Sequence, residues 1–158
     1  NVLGTPGDAG EAVERQLQIA LCLQLAEMCG AIDRVFQFTV EWAFDRYSFG
    51  RPLASYQALK HRFADMKLWL EASHATTSGA IRAVQANAAN AGELVSVAKS
   101  YVADRAPELI QDCVQLHGGI GVTWDHDIHL YLRRVTLDAN LYGTVRDHRL
   151  RLAAVAGL

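Results

Sequence analysis

The chain has 158 residues, of which 51% are hydrophobic and 20% are charged, and its formal net charge at pH 7 is −2. These values are typical of one globular domain with a buried core and exclude an intrinsically disordered chain. The basic residues form no run, which argues against a nucleic-acid partner, and no apolar stretch is long enough to predict a membrane span.

The N-terminal segment carries no signal-peptide pattern, and the three cysteines lack the spacing of a zinc or disulfide framework. We therefore expect Cys22, Cys29 and Cys113 to be reduced core residues and the protein to be cytoplasmic. Residues 1–7 contain two glycines and a proline and predict a linker, followed by one helical domain over residues 8–158.

The first predicted helix begins at Asp8, where Glu11 three residues later suggests a capping box, and it ends at Phe49 before Gly50 and Pro52. Its apolar residues recur every three or four positions, at Leu17, Leu21, Leu25, Met28, Ile32 and Val35. Further apolar residues lie on its other faces, so we expect this helix to be packed between neighbours and to take part in self-association.

Three more helices follow in the pattern. The second begins near Ser55 and ends near Asn87, and the third begins at the Asn90 start signal and ends at Gly118, with a kink or break expected at Pro107. The fourth begins between Asp125 and Asp127 and ends near Val155. Strand-like alternation persists nowhere, so the sequence predicts an all-α, antiparallel up-down four-helix bundle.

Two segments next to the helix ends carry the chemistry. One is Arg46-Tyr47-Ser48-Phe49-Gly50-Arg51-Pro52-Leu53, followed by Gln57, and the other is Gln115-Leu116-His117-Gly118-Gly119-Ile120-Gly121. Taken singly, Arg46 could be a cation favoured at a helix C-terminus, and paired glycines commonly do no more than end a helix. The alternative is that the guanidinium binds a pyrophosphate and the glycine corner lets backbone approach a ligand.

Together these segments resemble the Arg-x-x-Phe-Gly-x-x-(Ile/Leu)…Gln and Gln-x-x-Gly-Gly-x-Gly signatures of acyl-CoA dehydrogenases, in that family's order. The resemblance extends from about Glu11 to Leu152, and residues 121–134 are similar to the actinobacterial branch of the family. The chain is therefore identified as resembling the C-terminal helical domain of an acyl-CoA dehydrogenase family flavoprotein.

The resemblance implies FAD as cofactor and a homo- or hetero-oligomer, dimer or tetramer, in which one subunit contacts the FAD of its neighbour. The residues that match FAD contacts are Arg46, Ser48, Phe49, Gln57, Gln115, Gly118 and Gly119. The resemblance also implies a reaction, the α,β-desaturation of an acyl-CoA in fatty acid or steroid side-chain β-oxidation, and an electron-transfer acceptor as partner. The family's enzymes have two further domains, so the 158 residues alone are expected to be inactive.

No catalytic base can be assigned from the sequence. In the family the glutamate that removes the α-proton stands at one of two places, which here are Gly143 and Ala20. Asp138 and Asp147 lie near the first place, and we interpret both as surface charges. The missing base, together with the apolar pair Ala20-Leu21 where relatives often carry polar residues, favours a non-catalytic subunit of a heteromer. A helical scaffold without cofactor chemistry is the alternative.

The remaining candidates are weaker. Glu71 and His74 have the Glu-x-x-His spacing of a di-iron bundle, but the sequence has only one such pair, so we predict no metal site. His126 and His129 are interpreted as surface residues. The tryptophans are interpreted as core or interface anchors, at Trp42, Trp69 and Trp124.

Overall fold

The computed structural model describes Gly4 and residues 7–158, which form helices and one short two-stranded sheet. The elements are α1 Gly10–Asp45, β1 Tyr47–Ser48, β2 Arg51–Pro52, α2 Gln57–Gln85, α3 Ala91–His117, α4 Ile128–Asn140 and α5 Val145–Val155. Short 3-10 turns occupy Leu53–Ser55 and Gly118–Val122. The all-α class and the four-helix bundle are confirmed, with the last predicted helix divided into α4 and α5. Most of the predicted linker lies outside the described residues.

Helix α3 forms the centre of the bundle and packs against α1, α2, α4 and α5. A central helix must be apolar on more than one face, and α3 buries residues around most of its circumference. Each fully buried Leu or Ile side chain there contributes about 1.5–3 kcal/mol of transfer free energy. Its buried apolar residues are Ala91, Val95, Ala98, Val102, Ala103, Ala106, Leu109, Ile110, Cys113 and Leu116.

Because consecutive helices are antiparallel, the α1–α2 and α3–α4 connections lie at the same end of the bundle, here called the corner end. A direct contact confirms this placement. The indole of Trp42, near the end of α1, stacks on the imidazole of His117, the last residue of α3, at a ring-centroid distance of 5.3 Å. The corner end therefore brings together the two segments that the sequence singled out.

The predicted end of the first helix at Phe49 is wrong, because α1 ends at Asp45. Arg46 is extended, with φ −87° and ψ 120°, and the next residues form a hairpin in which Ser48 pairs with Arg51. Phe49 and Gly50 at the hairpin turn both have positive φ, 51° and 79°, as a type I′ turn requires. The sequence analysis missed this turn because Phe-Gly is not a usual type I′ pair.

The predicted cap at Asp8 is also wrong. Helix α1 begins at Gly10, with Ala9 as its N-cap and no side-chain cap. Asn90 does precede α3 directly, but its side chain makes no capping hydrogen bond. Of the two alternatives predicted at Pro107, a kink or a break, the break does not occur, since α3 is one continuous helix. The neighbouring buried residues Ala106 and Leu109 anchor this turn in the core, which offsets the hydrogen bond that proline cannot donate.

The predicted fourth helix is interrupted over residues 141–144, here called the elbow. Tyr142 and Gly143 have positive φ, 59° and 104°, which ends α4. Thr144 then caps α5 in a complete capping box, in which its Oγ1 accepts from the Asp147 backbone N–H and the Asp147 carboxylate accepts from the Thr144 N–H. The Thr-x-x-Asp spacing was a readable start signal that the helical periodicity on either side obscured.

All three cysteines are buried and free, as predicted. Over the described part of the chain, no helix combines the length and apolar character that crossing a bilayer needs.

Candidate functional site

The hairpin after α1 presents Arg46 and Phe49 on the surface of the corner end. Arg46 lies at the helix end, where its backbone N–H donates to the Trp42 carbonyl at 2.8 Å and its guanidinium lies 5.8 Å from the Trp42 ring centroid. The guanidinium forms no ion pair with a described carboxylate. Its hydrogen-bonding edge is thus available to a ligand.

Phe49 combines two unfavourable features. Its side chain is 97% exposed, and its backbone is left-handed, which costs a non-glycine residue about 1–2 kcal/mol. Nothing that Phe49 buries within this chain offsets that cost. An exposed aromatic ring held on a strained turn is typical of a residue that contacts a ligand or another subunit.

Tyr56 fixes the hairpin to the start of α2. Its hydroxyl donates to the Ser48 carbonyl at 2.7 Å, and the Arg51 guanidinium lies 3.9 Å above its ring centroid. The backbone of the half-buried Ser48 is therefore held, while its side chain makes no described hydrogen bond. Gln57 follows as the first residue of α2 and is exposed, so its amide also faces outward from the bundle.

The glycine corner after α3 is held by backbone geometry. The Gly118 N–H donates to the Gln115 carbonyl, and Gly118 takes φ 65° and ψ −141°, a region that only glycine adopts readily. Gly118 and Gly119 are exposed, and a Cβ at either position would meet no atom within 4 Å. The open side of these two glycines leaves room for a ligand, and the exposed Gln115 amide lies one turn earlier.

Gly121 has a structural role that differs from that of Gly118 and Gly119, and the sequence motif did not reveal this difference. It is buried, and a Cβ there would lie 2.6 Å from the Val114 carbonyl oxygen and 2.9 Å from the His117 Cβ. The third glycine of the motif is therefore needed for close packing of the turn on α3, not for access.

The two places where relatives carry the base cannot supply one. Ala20 is a half-buried residue of α1. Gly143 lies in the elbow with φ 104°, and a Cβ there would meet the His148 Nε2 at 3.0 Å. A glutamate at position 143 would be strained by the backbone and crowded by that imidazole.

The interpretation of Asp138 as a surface charge is wrong, because its side chain is 0% exposed. The Arg134 Nε donates to its Oδ2 at 3.0 Å and the Gln24 Nε2 to its Oδ1 at 3.4 Å. Asp147 is exposed, as predicted, but its carboxylate caps α5, and hydrogen bonds from Thr144 lower its pKa. Both carboxylates are thus engaged, one in the interior and one in a helix cap.

Lys99 is a buried cation that the sequence analysis did not single out. Its ammonium donates to the Gln24 Oε1 at 2.8 Å and to the Asp138 carbonyl, and the residue is 0% exposed. Burial lowers the Lys99 pKa to about 8, although the Asp138 carboxylate opposes the shift. The sequence did offer a signal of this burial, because Lys99 stands alone on a helix face that is otherwise apolar, at Val95, Ala98 and Val102.

Because the unfolded Lys99 keeps a pKa near 10.5, the unfolded state binds more protons through this group between pH 8 and 10.5, and the contribution of Lys99 to stability rises with pH across that window. The buried thiols of Cys22, Cys29 and Cys113 act in the opposite direction, because burial raises their pKa values. We expect the free energy of unfolding to gain on the order of 2 kcal/mol from this group. Urea titrations at several pH values should show the free energy of unfolding of the wild type rising relative to that of Lys99→Met as the pH increases, because the cysteines contribute equally to both. The exposed Lys60→Met is the matched control and should keep this rise. Parallel curves for wild type and Lys99→Met would contradict the expectation.

The remaining candidates form no metal site within the described residues. His74 pairs with Asp33 at 2.8 Å, and Glu71 pairs with Lys67 along α2. His126 and His129 are both partly exposed, and His126 packs on His117 at a centroid distance of 4.6 Å. Trp124 is 80% exposed and is therefore no core anchor.

Comparison with known proteins gives a consistent picture. The family profile described as "Acyl-CoA dehydrogenase, C-terminal domain" matches residues 10–157. Acyl-CoA dehydrogenase IpdE2 of Mycobacterium tuberculosis is 42% identical over 134 residues, which are 84% of this chain and 40% of that protein. The chain thus spans about two fifths of this curated relative.

Solved structures share the fold over the whole chain. Acyl-CoA dehydrogenase from Geobacillus kaustophilus superposes with a TM-score of 0.92 at 23% identity, covering 100% of this chain and 41% of that one. A glycine-to-alanine variant of the Tcur3481-Tcur3483 steroid ACAD superposes with a TM-score of 0.88 at 27% identity, covering 96% of this chain and 41% of that one.

Proposed function

Because the chain belongs to the acyl-CoA dehydrogenase family, as its C-terminal domain, we propose that it supplies FAD contacts and an oligomer interface to a flavoprotein that desaturates an acyl-CoA. The observation that carries the proposal is the corner end. There an unpaired exposed guanidinium, a strained exposed phenyl ring and an open glycine corner lie at one end of the bundle, on elements joined by the Trp42–His117 stack.

The residues present fit a flavin dinucleotide. The Arg46 fork matches the two oxygens of a phosphate, and Gln57 and Gln115 offer amide donors and acceptors. The Phe49 ring offers a flat apolar face, and the open side of Gly118 and Gly119 lets a ligand approach backbone. When bound, the flavin accepts the hydride from the β-carbon of the acyl group. This chain's part is to bind and orient the dinucleotide.

The partner of the corner end is proposed to be a second subunit of a dimer or tetramer. Helix α1 leaves large apolar side chains uncovered, among them Leu23 at 69% and Phe44 at 63% exposure. Scattered exposed residues are ordinary, but these add to Ile19 and Ile81, which border the same groove as Leu23. We expect light scattering to show an oligomer at tens of micromolar, and a clean monomer there would count against this assembly.

The proposal is tested by Arg46→Ala in the complete protein. Loss of a charge-assisted bond to phosphate should cost on the order of 1.5–3 kcal/mol, so FAD affinity should fall by about tenfold or more. Arg46→Lys should rescue only part of this loss, because the ammonium lacks the planar fork. Fluorescence titration of the apoprotein with FAD measures all three affinities.

Arg82→Ala is the matched control. Arg82 is also an exposed arginine in the last turn of a long helix, but α2 ends at the opposite end of the bundle. It should leave FAD affinity unchanged. If Arg46→Ala also leaves it unchanged, Arg46 is only a helix-end charge, and the alternative of a helical scaffold without cofactor chemistry gains.

The missing base supports a more specific role, that of the non-catalytic subunit of a heteromer. No described carboxylate stands free at either of the family's two positions, since Ala20 and Gly143 occupy them. We propose that a glutamate-bearing partner subunit completes the acyl-CoA site and that an electron-transfer acceptor reoxidises the flavin. The acyl group is proposed to be fatty or steroid-derived, and the steroid ACAD among the similar structures supports keeping the second class.

A further inference from the structure

A stack of flat groups joins the two cofactor segments at the corner end. The Trp42 ring contacts both the Arg46 guanidinium, 5.8 Å from its centroid, and the His117 imidazole, stacked at 5.3 Å with an interplanar angle of 18°. Arg46 belongs to the hairpin segment, and His117 directly precedes Gly118. The Trp42 side chain thus contacts residues of both segments.

Both ends of the stack are fixed by further contacts. The Arg46 backbone N–H donates to the Trp42 carbonyl, so these residues are tied through main chain as well as through side chains. On the other side, the His117 Nδ1–H donates to the Cys113 carbonyl at 2.8 Å. Phe38 and His126 approach the same imidazole with centroids at 5.6 and 4.6 Å. The His117 ring therefore has little freedom to move away from Trp42.

The indole N–H takes no part in this arrangement. Trp42 Nε1 is buried and has no hydrogen-bond partner among the described residues. A buried donor without a partner is unfavourable, so the polar atom does not explain the residue. What the position uses is the flat aromatic ring, which attracts a guanidinium and stacks with an imidazole.

We propose that Trp42 is a positioning residue that holds Arg46 and the Gly118–Gly119 corner in one fixed arrangement, so that both meet the FAD as a single preformed surface. This inference rests on the proposed function of the corner end. A guanidinium held on an aromatic face loses less side-chain freedom when it binds phosphate, which favours binding without any direct contact from Trp42. Trp42 then acts through Arg46 and through the glycine corner.

A set of variants in the complete protein tests the coupling through FAD affinity. Trp42→Ala should weaken binding by about fivefold, the size expected of a lost cation–π contact. When Trp42→Ala is added to Arg46→Ala, or separately to Gln115→Ala, the further loss of FAD affinity should be smaller than the loss that Trp42→Ala causes in the wild type. The reason is that Trp42 acts by positioning these two groups, so its effect shrinks once one of them is removed. Trp42→Phe keeps a flat face and lacks the unpartnered donor, so it should retain most of the affinity.

These variants distinguish a failure of the Trp42 coupling from a failure of the FAD-binding role proposed for the corner end. If Arg46→Ala itself leaves FAD affinity unchanged, the proposed function fails. If Arg46→Ala weakens FAD binding, and the double variant loses affinity by the full product of the two single losses, then Trp42 is a structural residue and the coupling is overturned. Trp42→Leu keeps apolar volume without the aromatic face and replaces the alanine variant if that one does not fold. A leucine variant with wild-type affinity also overturns the coupling.

Discussion

The complete protein, purified as a homo-oligomer, is expected to show no acyl-CoA oxidation with an artificial electron acceptor, and activity should appear only when a glutamate-bearing partner subunit is added. Removal of an α-proton needs a base within hydrogen-bond reach of that carbon, and a missing base alone lowers rates by a factor of roughly 10²–10⁴. Dye reduction under matched FAD loading is the measurement.

The two carboxylates closest in sequence to the family's base position are both occupied by other contacts. Asp138 is buried and bonded to Arg134 and Gln24, and Asp147 caps α5, so neither stands ready to take a proton. Gly143→Glu should not restore turnover, because the left-handed backbone and the His148 ring oppose the new side chain. Robust turnover by the homo-oligomer would rule out the heteromer and point to a base elsewhere in the protein.

The second large effect is expected from Gly121→Ala, which should lower the free energy of unfolding by about 2–3 kcal/mol. The new Cβ would lie 2.6 Å from the Val114 carbonyl oxygen, and that oxygen belongs to helix backbone, which cannot move without disturbing the end of α3. Urea or thermal unfolding of the isolated domain or of the complete protein measures the loss.

Gly119→Ala is the matched control from the same motif. Its Cβ would meet nothing within 4 Å, so stability should stay within about 0.5 kcal/mol of the wild type. Its place on the open side of the corner predicts weaker FAD binding instead. The two glycines should thus separate stability from cofactor affinity, and equal stability losses in both variants would contradict the assignment.

Helical periodicity was sufficient for the architecture, because α1, α2 and α3 are long and repeat their apolar residues every three or four positions. It could not locate the elbow, since the apolar spacing runs on across Leu141 and Val145 while the backbone breaks at Tyr142 and Gly143. The capping pair Thr144 and Asp147 was the local signal, and it is readable only if short polar patterns are weighed against periodicity.

Motif order alone singled out the two segments that lie together at the corner end, but not their geometry. The hairpin that carries Phe49 depends on a non-glycine residue in a left-handed conformation. Trp42 and His117 could not be paired from sequence, because they come from separate helices. Asp138 was interpreted as a surface charge and Lys99 was not singled out, since burial of a charge depends on which helices pack against it.

The elbow also bears on how such a chain could change over time. A glutamate at position 143 is disfavoured by two independent features, its left-handed backbone and the imidazole of His148. Recovering a base there would therefore call for changes at both positions 143 and 148. If the chain depends on a glutamate-bearing partner subunit, as proposed, that dependence would be difficult to reverse by a single substitution. We expect that related chains with glutamate at position 143 carry a smaller residue in place of His148, a pairing that sequence comparison can check.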